Sequence, residues 1–167
     1  ARYDVLLFDL DDTLLDFAVA ERSALKRAFE GVGYQYDEEK HLPLYQHHNR
    51  ASWAAFEAGE IDLDTLKTKR FKDFCSAVSP IFDPDLFRRF FVMYLGESAH
   101  SITGAPRVVQ ALSKQYRLAL ITNGLKDVQR ARLKRWELAV HFPVVGSQTR
   151  LGPRSPIRNF LITRCGL

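Results

Sequence analysis

The sequence predicts an α/β fold: a parallel sheet forms the core, and a set of α-helices is inserted after its first strand. Three observations predict it. Val5-Leu6-Leu7-Phe8 is a continuous apolar run of strand length, the pattern of a strand covered on both faces. A second such run, Leu118-Ala119-Leu120-Ile121, follows only in the last third of the chain. Between them, residues 17–99 carry apolar side chains at three- and four-residue steps and show no strand character.

The first strand ends abruptly in Asp9, Asp11, Asp12 and Thr13. Open α/β sheets place their chemistry just beyond the carboxyl ends of such strands. Asp9 and Asp11 are two residues apart and fall near one point if the chain turns after Asp9. Such a pair suits a hard cation such as Mg²⁺, which takes a few carboxylates together with waters and phosphate oxygens. Asp9 is the candidate carboxylate nucleophile toward phosphorus. Asp11 is the candidate acid and base, protonating the leaving oxygen and then activating water. A plain surface turn is the competing reading, since Asp is a common turn former, but surface turns rarely follow a buried run so closely.

Phe8-Asp9-Leu10-Asp11-Asp12-Thr13-Leu14 resembles the first signature of the haloacid dehalogenase superfamily in its phosphatase form. The following Leu15-Asp16-Phe17, Glu21 and Ala24-Leu25 are similar to the helical-cap branch that includes pyrimidine 5'-nucleotidases. The resemblance implies a Rossmann-like core with an α-helical cap, an aspartyl-phosphate on Asp9, and a Mg²⁺ ion held by Asp9 and by the backbone carbonyl of Asp11. On this reading residues 1–16 and 100–167 form the core and residues 17–99 the cap, and helical insertions of this kind close over a site and exclude water.

At 167 residues, 46% hydrophobic and 26% charged, the composition is that of a soluble globular domain with no run long enough to span a membrane. The first apolar run is too short for a signal peptide and ends in acids. Cys75 and Cys165 make no disulfide framework, so a cytoplasmic location is expected. The net charge of +4 arises after residue 147, where Arg150, Arg154, Arg158 and Arg164 occur without an acid; the remaining basic residues balance the 20 acidic ones. A neutral body lacks the clustered footprint of a nucleic-acid binder.

Phe17 to Gly31 reads as a helix closed by Gly31-Val32-Gly33. A second helix spans Tyr45 to Ala58, broken at Gly59, and Asp62 or Asp64 caps a third. Pro80 and Pro84 mark the next boundary, and Leu86 to Leu95 supplies a further apolar face. Trp53 and Phe56 are expected in the helical core rather than stacked on a base. The adjacent His47 and His48 cannot share a helix face as ligands do and are expected to be exposed. Cys75 is expected as a buried, inert thiol.

The core resumes with a helix from Gly104-Ala105-Pro106. The second strand then stops at Thr122-Asn123-Gly124, where a hydroxyl and free backbone N–H groups at a strand-to-helix junction make a phosphate cradle. Beside the acidic tip, these three residues match the superfamily's second signature, which implies that Thr122 binds a phosphoryl oxygen and Asn123 the phosphate or leaving group. The next helix, Lys126 to Trp136, carries Arg130, Arg132, Lys134 and Arg135, expected on a solvated face, and a third strand is expected over Val140 to Val145.

The family next presents a lysine and later a pair of acids that completes the metal site. This chain offers Arg154 within Gly152-Pro153-Arg154-Ser155-Pro156 and no Asp or Glu after Glu137. Read one base out of register, permitted codons from Arg154 onward spell Lys-Pro-Asp-Pro-Gln-Phe-Phe-Asp-Tyr-Ala-Leu-Arg, which resembles the family's third signature. The expectation is therefore a single-base shift near Gly146 or Ser147, weak turnover, and a sheet core left incomplete at the C-terminus with an edge prone to self-association. The function expected is a Mg²⁺-dependent phosphomonoester hydrolase acting on a small phosphorylated metabolite such as a nucleoside monophosphate. A phosphosugar mutase and a non-catalytic phosphate-binding module are the alternatives.

Overall fold

The computed structural model describes residues 3–79, 82–147 and 163–164. The sheet order is β1 (Val5–Asp9), β2 (Arg117–Thr122), β3 (Val144–Ser147) and β4 (Thr163–Arg164), with β1, β2 and β3 parallel and the two-residue β4 antiparallel to β3. This is the Rossmann-type arrangement with a helical insertion. The tail that carries Arg154 and Cys165 lies outside the described residues, apart from the backbone of β4.

Parallel pairing sets the register that matters here. Asp9 lies opposite Ile121, and Thr122 opposite Ser147, so the ends of β1 and β2 reach the same margin of the sheet. In β2, Leu118, Ala119, Leu120 and Thr122 are all buried, as a strand covered on both faces requires. β1 differs from expectation: Leu6 and Phe8 pack against the core, but Val5 is 47% and Leu7 65% exposed. The reason is position. Among the described residues β1 is the outermost strand, so one of its faces stays uncovered.

Two compact units emerge, with one boundary inside the helix α1 (Phe17–Gly31), between Ala20 and Glu21, and the other between Leu95 and Gly96. The unit that holds the sheet is built on Leu10, Leu14, Leu15, Val109, Leu118, Leu120, Trp136 and Phe142. Each such leucine contributes roughly 1.5–3 kcal/mol on burial. Trp136 satisfies its indole N–H on Ser101 Oγ at 2.8 Å and stacks on Phe142.

The helical unit contains most of α1, all of α2 (Glu38–Glu57) and α3 (Leu63–Val78), and most of α4 (Pro84–Glu97). α2 begins earlier than its apolar spacing suggests, because Asp37 caps it by accepting from Lys40 N. Asp62, rather than Asp64, caps α3 through Thr65 N at 2.7 Å. Phe29 centres an aromatic core, with Phe74, Phe82 and Phe87 at 5.3–6.1 Å and His41 stacked at 4.4 Å. Phe56 is buried and Trp53 half-buried, in T-shaped contact with each other, and His47 is exposed with His48 half-buried. The buried Cys75 thiol is pushed up to about 12 by desolvation, with the negative charge of Asp83 adding to it. Among the described residues no helix is long and apolar enough to cross a membrane.

Back in the sheet unit, α5 (Ala105–Leu112) leads into β2, and α6 (Lys126–Arg135) follows it. Where strand was expected from Val140, the chain makes a 3₁₀ turn over Glu137–His141 and β3 starts at Val144. Pro143 has no N–H to donate to a ladder, while the buried Leu138 and Phe142 hold the turn in the core.

Candidate active site

The acids sit on a short, well-anchored turn. Leu10, Leu14 and Leu15 are buried, and both Leu14 N and Leu15 N donate to Leu10 O, at 3.0 and 2.9 Å. Asp12 occupies the left-handed region at φ 58, which Asp tolerates better than most residues, and its carboxylate accepts from Phe17 N at the start of α1. The turn is tied to the 98–102 segment through Ile102 N to Leu14 O and Asp16 N to His100 O, both 2.9 Å. Apolar anchors on either side thus fix the backbone that carries Asp9 and Asp11.

Asp9, at the tip of β1, is exposed, and its Oδ1 accepts from Leu10 N at 2.8 Å. Its carboxyl is held above the ordinary value of 3.8, chiefly by desolvation and further by the negative charges of Asp11 and Asp12, against the lowering effect of the Leu10 N–H. Asp11 is half-buried, and both of its carboxylate oxygens are engaged. Oδ1 pairs with Arg132 Nη1, and Oδ2 accepts from Gln129 Nε2 at 2.6 Å.

Thr122, at the tip of β2, is 2% exposed. Its Oγ1 accepts from Gln129 Nε2 at 2.8 Å and from Gly124 N at 3.1 Å. A hydroxyl has two acceptor sites and one proton, so Thr122 keeps its O–H for a further acceptor. Asn123 is exposed at the same margin, just before α6. Gly124 has a role that its place in a phosphate cradle does not suggest: a β-carbon there would stand 2.2 Å from Gln129 Nε2. The structure therefore brings Asp11, Thr122 and Gly124 together through one side chain, with Asp9 on the neighbouring strand end and Asn123 beside Thr122.

That linking residue, and Arg132 with it, escaped the sequence reading. Arg132 is not on a solvated face. Its side chain is 1% exposed, donating through Nε to Ser98 O at 3.0 Å and through Nη1 to both Asp11 and Gln129 Oε1. An unpaired buried guanidinium is costly, and the ion pair to Asp11 offsets that cost. The signal for it was helical phase: Val128, Gln129, Leu133 and Trp136 define the buried arc of this segment, and Arg132 falls in the middle of it.

A hard divalent cation fits the donor chemistry of the Asp9 tip. Asp9 presents a carboxylate oxygen beyond the one bonded to Leu10, and its pKa is raised first by desolvation and then by the charges of Asp11 and Asp12, both of which a bound cation would offset. The Asp11 side chain is committed to Gln129 and Arg132, which leaves its main-chain carbonyl as the second ligand that the family resemblance implies. Among the described residues no group of three or more His, Cys, Asp or Glu side chains converges on one point. The site as described thus offers part of a coordination shell, to be completed by water and phosphate oxygens.

Comparison with known proteins finds relatives of one family. A family model for haloacid dehalogenase-like hydrolases matches residues 6–162. The HAD-hydrolase YfnB of Bacillus subtilis is 30% identical over 166 residues, covering 95% of this chain and 67% of that one. The pyrimidine 5'-nucleotidase PynA of Streptococcus pneumoniae is 30% identical over 155 residues, covering 92% and 65%. A crystal structure of YfnB bound to magnesium aligns with a TM-score of 0.80 at 31% identity, covering 88% of this chain and 66% of that one. The chain spans about two thirds of the length of these relatives.

Proposed function

The chain belongs to the haloacid dehalogenase-like hydrolases, and on that premise we propose that it hydrolyses phosphate monoesters, nucleoside monophosphates in particular, through an aspartyl-phosphate on Asp9. The observation that carries the reading is the join between Asp11 and Thr122 through Gln129, with Asp9 on the adjacent strand end. A nucleophilic carboxylate, an acid–base carboxylate and a hydroxyl donor are groups that an aspartyl-phosphate route can use. The nucleotide preference rests on the names of relatives, the pyrimidine 5'-nucleotidases PynA and YjjG of Escherichia coli. We take residues 17–99 as the cap that selects the substrate, and the cytoplasm as the compartment, in keeping with the buried free thiol of Cys75.

In this mechanism an Asp9 carboxylate oxygen attacks phosphorus, and the bond from phosphorus to the leaving oxygen breaks. Asp11, entering this step protonated, delivers its proton to that oxygen as the alcohol departs and is left as the carboxylate held by Gln129 and Arg132. Asp11 then takes a proton from water as the water oxygen attacks phosphorus, and the bond to Asp9 breaks to release inorganic phosphate. Thr122 donates to a phosphoryl oxygen throughout, and Asn123 steadies the phosphate. A Mg²⁺ ion at Asp9 and the Asp11 carbonyl would supply positive charge beside the phosphate.

The test is phosphate release from a panel of nucleoside monophosphates and hexose phosphates, with Asp9→Asn as the control. The reading expects slow release, fastest from nucleotides and lost in the variant. No release from any member of the panel, or release unaffected by Asp9→Asn, would contradict it. Interconversion of hexose phosphates in place of release would favour the mutase chemistry of the same superfamily.

A further inference from the structure

We propose that Gln129 and Arg132 are positioning residues: together they lock the Asp11 carboxylate in a fixed orientation toward Thr122. The catalytic consequence rests on the hydrolase reading, whereas the lock itself rests only on geometry.

A carboxylate on a turn rotates freely about its last torsion, and an acid that must deliver a proton to one particular oxygen cannot be left to do so. Here each Asp11 oxygen has its own donor, Arg132 Nη1 on Oδ1 and Gln129 Nε2 on Oδ2. The amide of Gln129 cannot be reversed, because its Oε1 accepts from Arg132 Nη1 at 3.1 Å and a flip would set two donors against each other. Its two amide protons then serve two different acceptors, Asp11 Oδ2 at 2.6 Å and Thr122 Oγ1 at 2.8 Å. One rigid planar group therefore sets the spacing between the proposed proton donor and the proposed phosphate ligand.

Arg132 holds that group in turn. It lies one helical step from Gln129 on α6 and is anchored by Nε on Ser98 O at 3.0 Å. Gly124 leaves the space through which Gln129 reaches the strand tips. Stability alone is a weak reason for such a group, since a buried ion pair seldom outperforms a well-packed apolar side chain. A guanidinium in the middle of a buried helix face is better accounted for by what it orients.

The test uses the full chain with Gln129→Leu and Arg132→Lys, and Lys134→Ala as an exposed control on the same helix. Two readouts separate positioning from mere support. The first compares kcat/KM for a nucleoside monophosphate, whose alkoxide leaving group needs a proton, with that for p-nitrophenyl phosphate, whose leaving group does not. Both variants should lower this ratio by about tenfold or more with KM changed by no more than about twofold, while Lys134→Ala leaves it unchanged. A ratio equal to that of the unaltered chain in both variants would overturn the proposal, even if the absolute rates fall.

The second readout is heteronuclear NMR of the arginine side chains, which needs no turnover and still decides if Arg132→Lys fails to fold. Resolved, slowly exchanging Nη protons are expected for Arg132, merging on Asp11→Asn. Averaged signals in the unaltered chain, indifferent to Asp11→Asn, would overturn it. A chain that hydrolyses neither ester ends the hydrolase reading, and the NMR result then settles the lock by itself.

Discussion

Gly124 and Gln129 meet so closely that the smallest side chain at the first displaces the second: a β-carbon on Gly124 would lie 2.2 Å from Nε2, 2.7 Å from Cδ and 2.9 Å from Cγ of Gln129. Gly124→Ala should therefore push Gln129 off both Asp11 and Thr122. The expected cost is about 1–3 kcal/mol in denaturant unfolding. Shortening the partner restores the space, so adding Gln129→Ala to Gly124→Ala should cost less than the two single changes summed, by about 1 kcal/mol. Simple additivity in the double-mutant cycle would show that the two residues do not compete for one volume.

Asp9 predicts a trade between stability and function. Its folded pKa lies above 3.8, so between 3.8 and the raised value the folded chain binds the proton more readily than the unfolded one. Stability from this group accordingly falls as pH rises through that window, and the ionised carboxylate is a net cost above it. Asp9→Asn should raise Tm at neutral pH, with the gain shrinking as pH is lowered toward 3.8. Adding Mg²⁺ should raise Tm of the unaltered chain and not of the variant. Thermal unfolding across pH, with and without the ion, checks both statements.

His41 makes the opposite prediction in the helical unit. It is 6% exposed, stacks on Phe29, and accepts from Asp37 N through Nδ1. Desolvation, and then the charge of Lys40, hold its pKa below the ordinary 6.5. Below 6.5 the unfolded chain takes up a proton before the folded one does, so this contribution is complete above 6.5 and is lost as pH falls through the lowered value. His41→Phe should remove that slope. An unchanged slope between pH 7 and 5 in urea unfolding would place the titration elsewhere.

The outer side of β1 bears on association. Among the described residues no strand pairs with that edge, and Leu7, on the uncovered face of β1, is 65% exposed beside it. Edges of this kind recruit further strands unless a charge blocks them. The chain should show concentration-dependent mass in light scattering, and Leu7→Lys should move it toward the monomer. A clean monomer at all concentrations would contradict this.

The legible parts of the molecule were those that local sequence dictates. Strand-length apolar runs located β1 and β2, three- and four-residue spacing located the helices, and the choice of Asp62 or Asp64 as a cap bracketed the start of α3, which the structure resolves to Asp62. The illegible parts depend on partners distant in sequence. Nothing near Arg132 distinguishes it from Arg130 or Lys134 except helical phase, because the acid that makes its burial tolerable stands 121 residues away. Likewise Val5-Leu6-Leu7-Phe8 has the composition of a strand covered on both faces, and only the strand order shows β1 to be outermost among the described residues. Gly124 read as a backbone cradle because a glycine's sequence context does not reveal which side chain needs its empty space.

Phosphorylation of Asp9 can be observed by mixing the chain with a nucleoside monophosphate and Mg²⁺, quenching in acid and locating any acid-stable, hydroxylamine-sensitive adduct by peptide mass spectrometry. One phosphoryl group is expected on the peptide containing Asp9, absent in Asp9→Asn. Phosphate release with no adduct at Asp9 under single-turnover quenching, or an adduct on another residue, would contradict it.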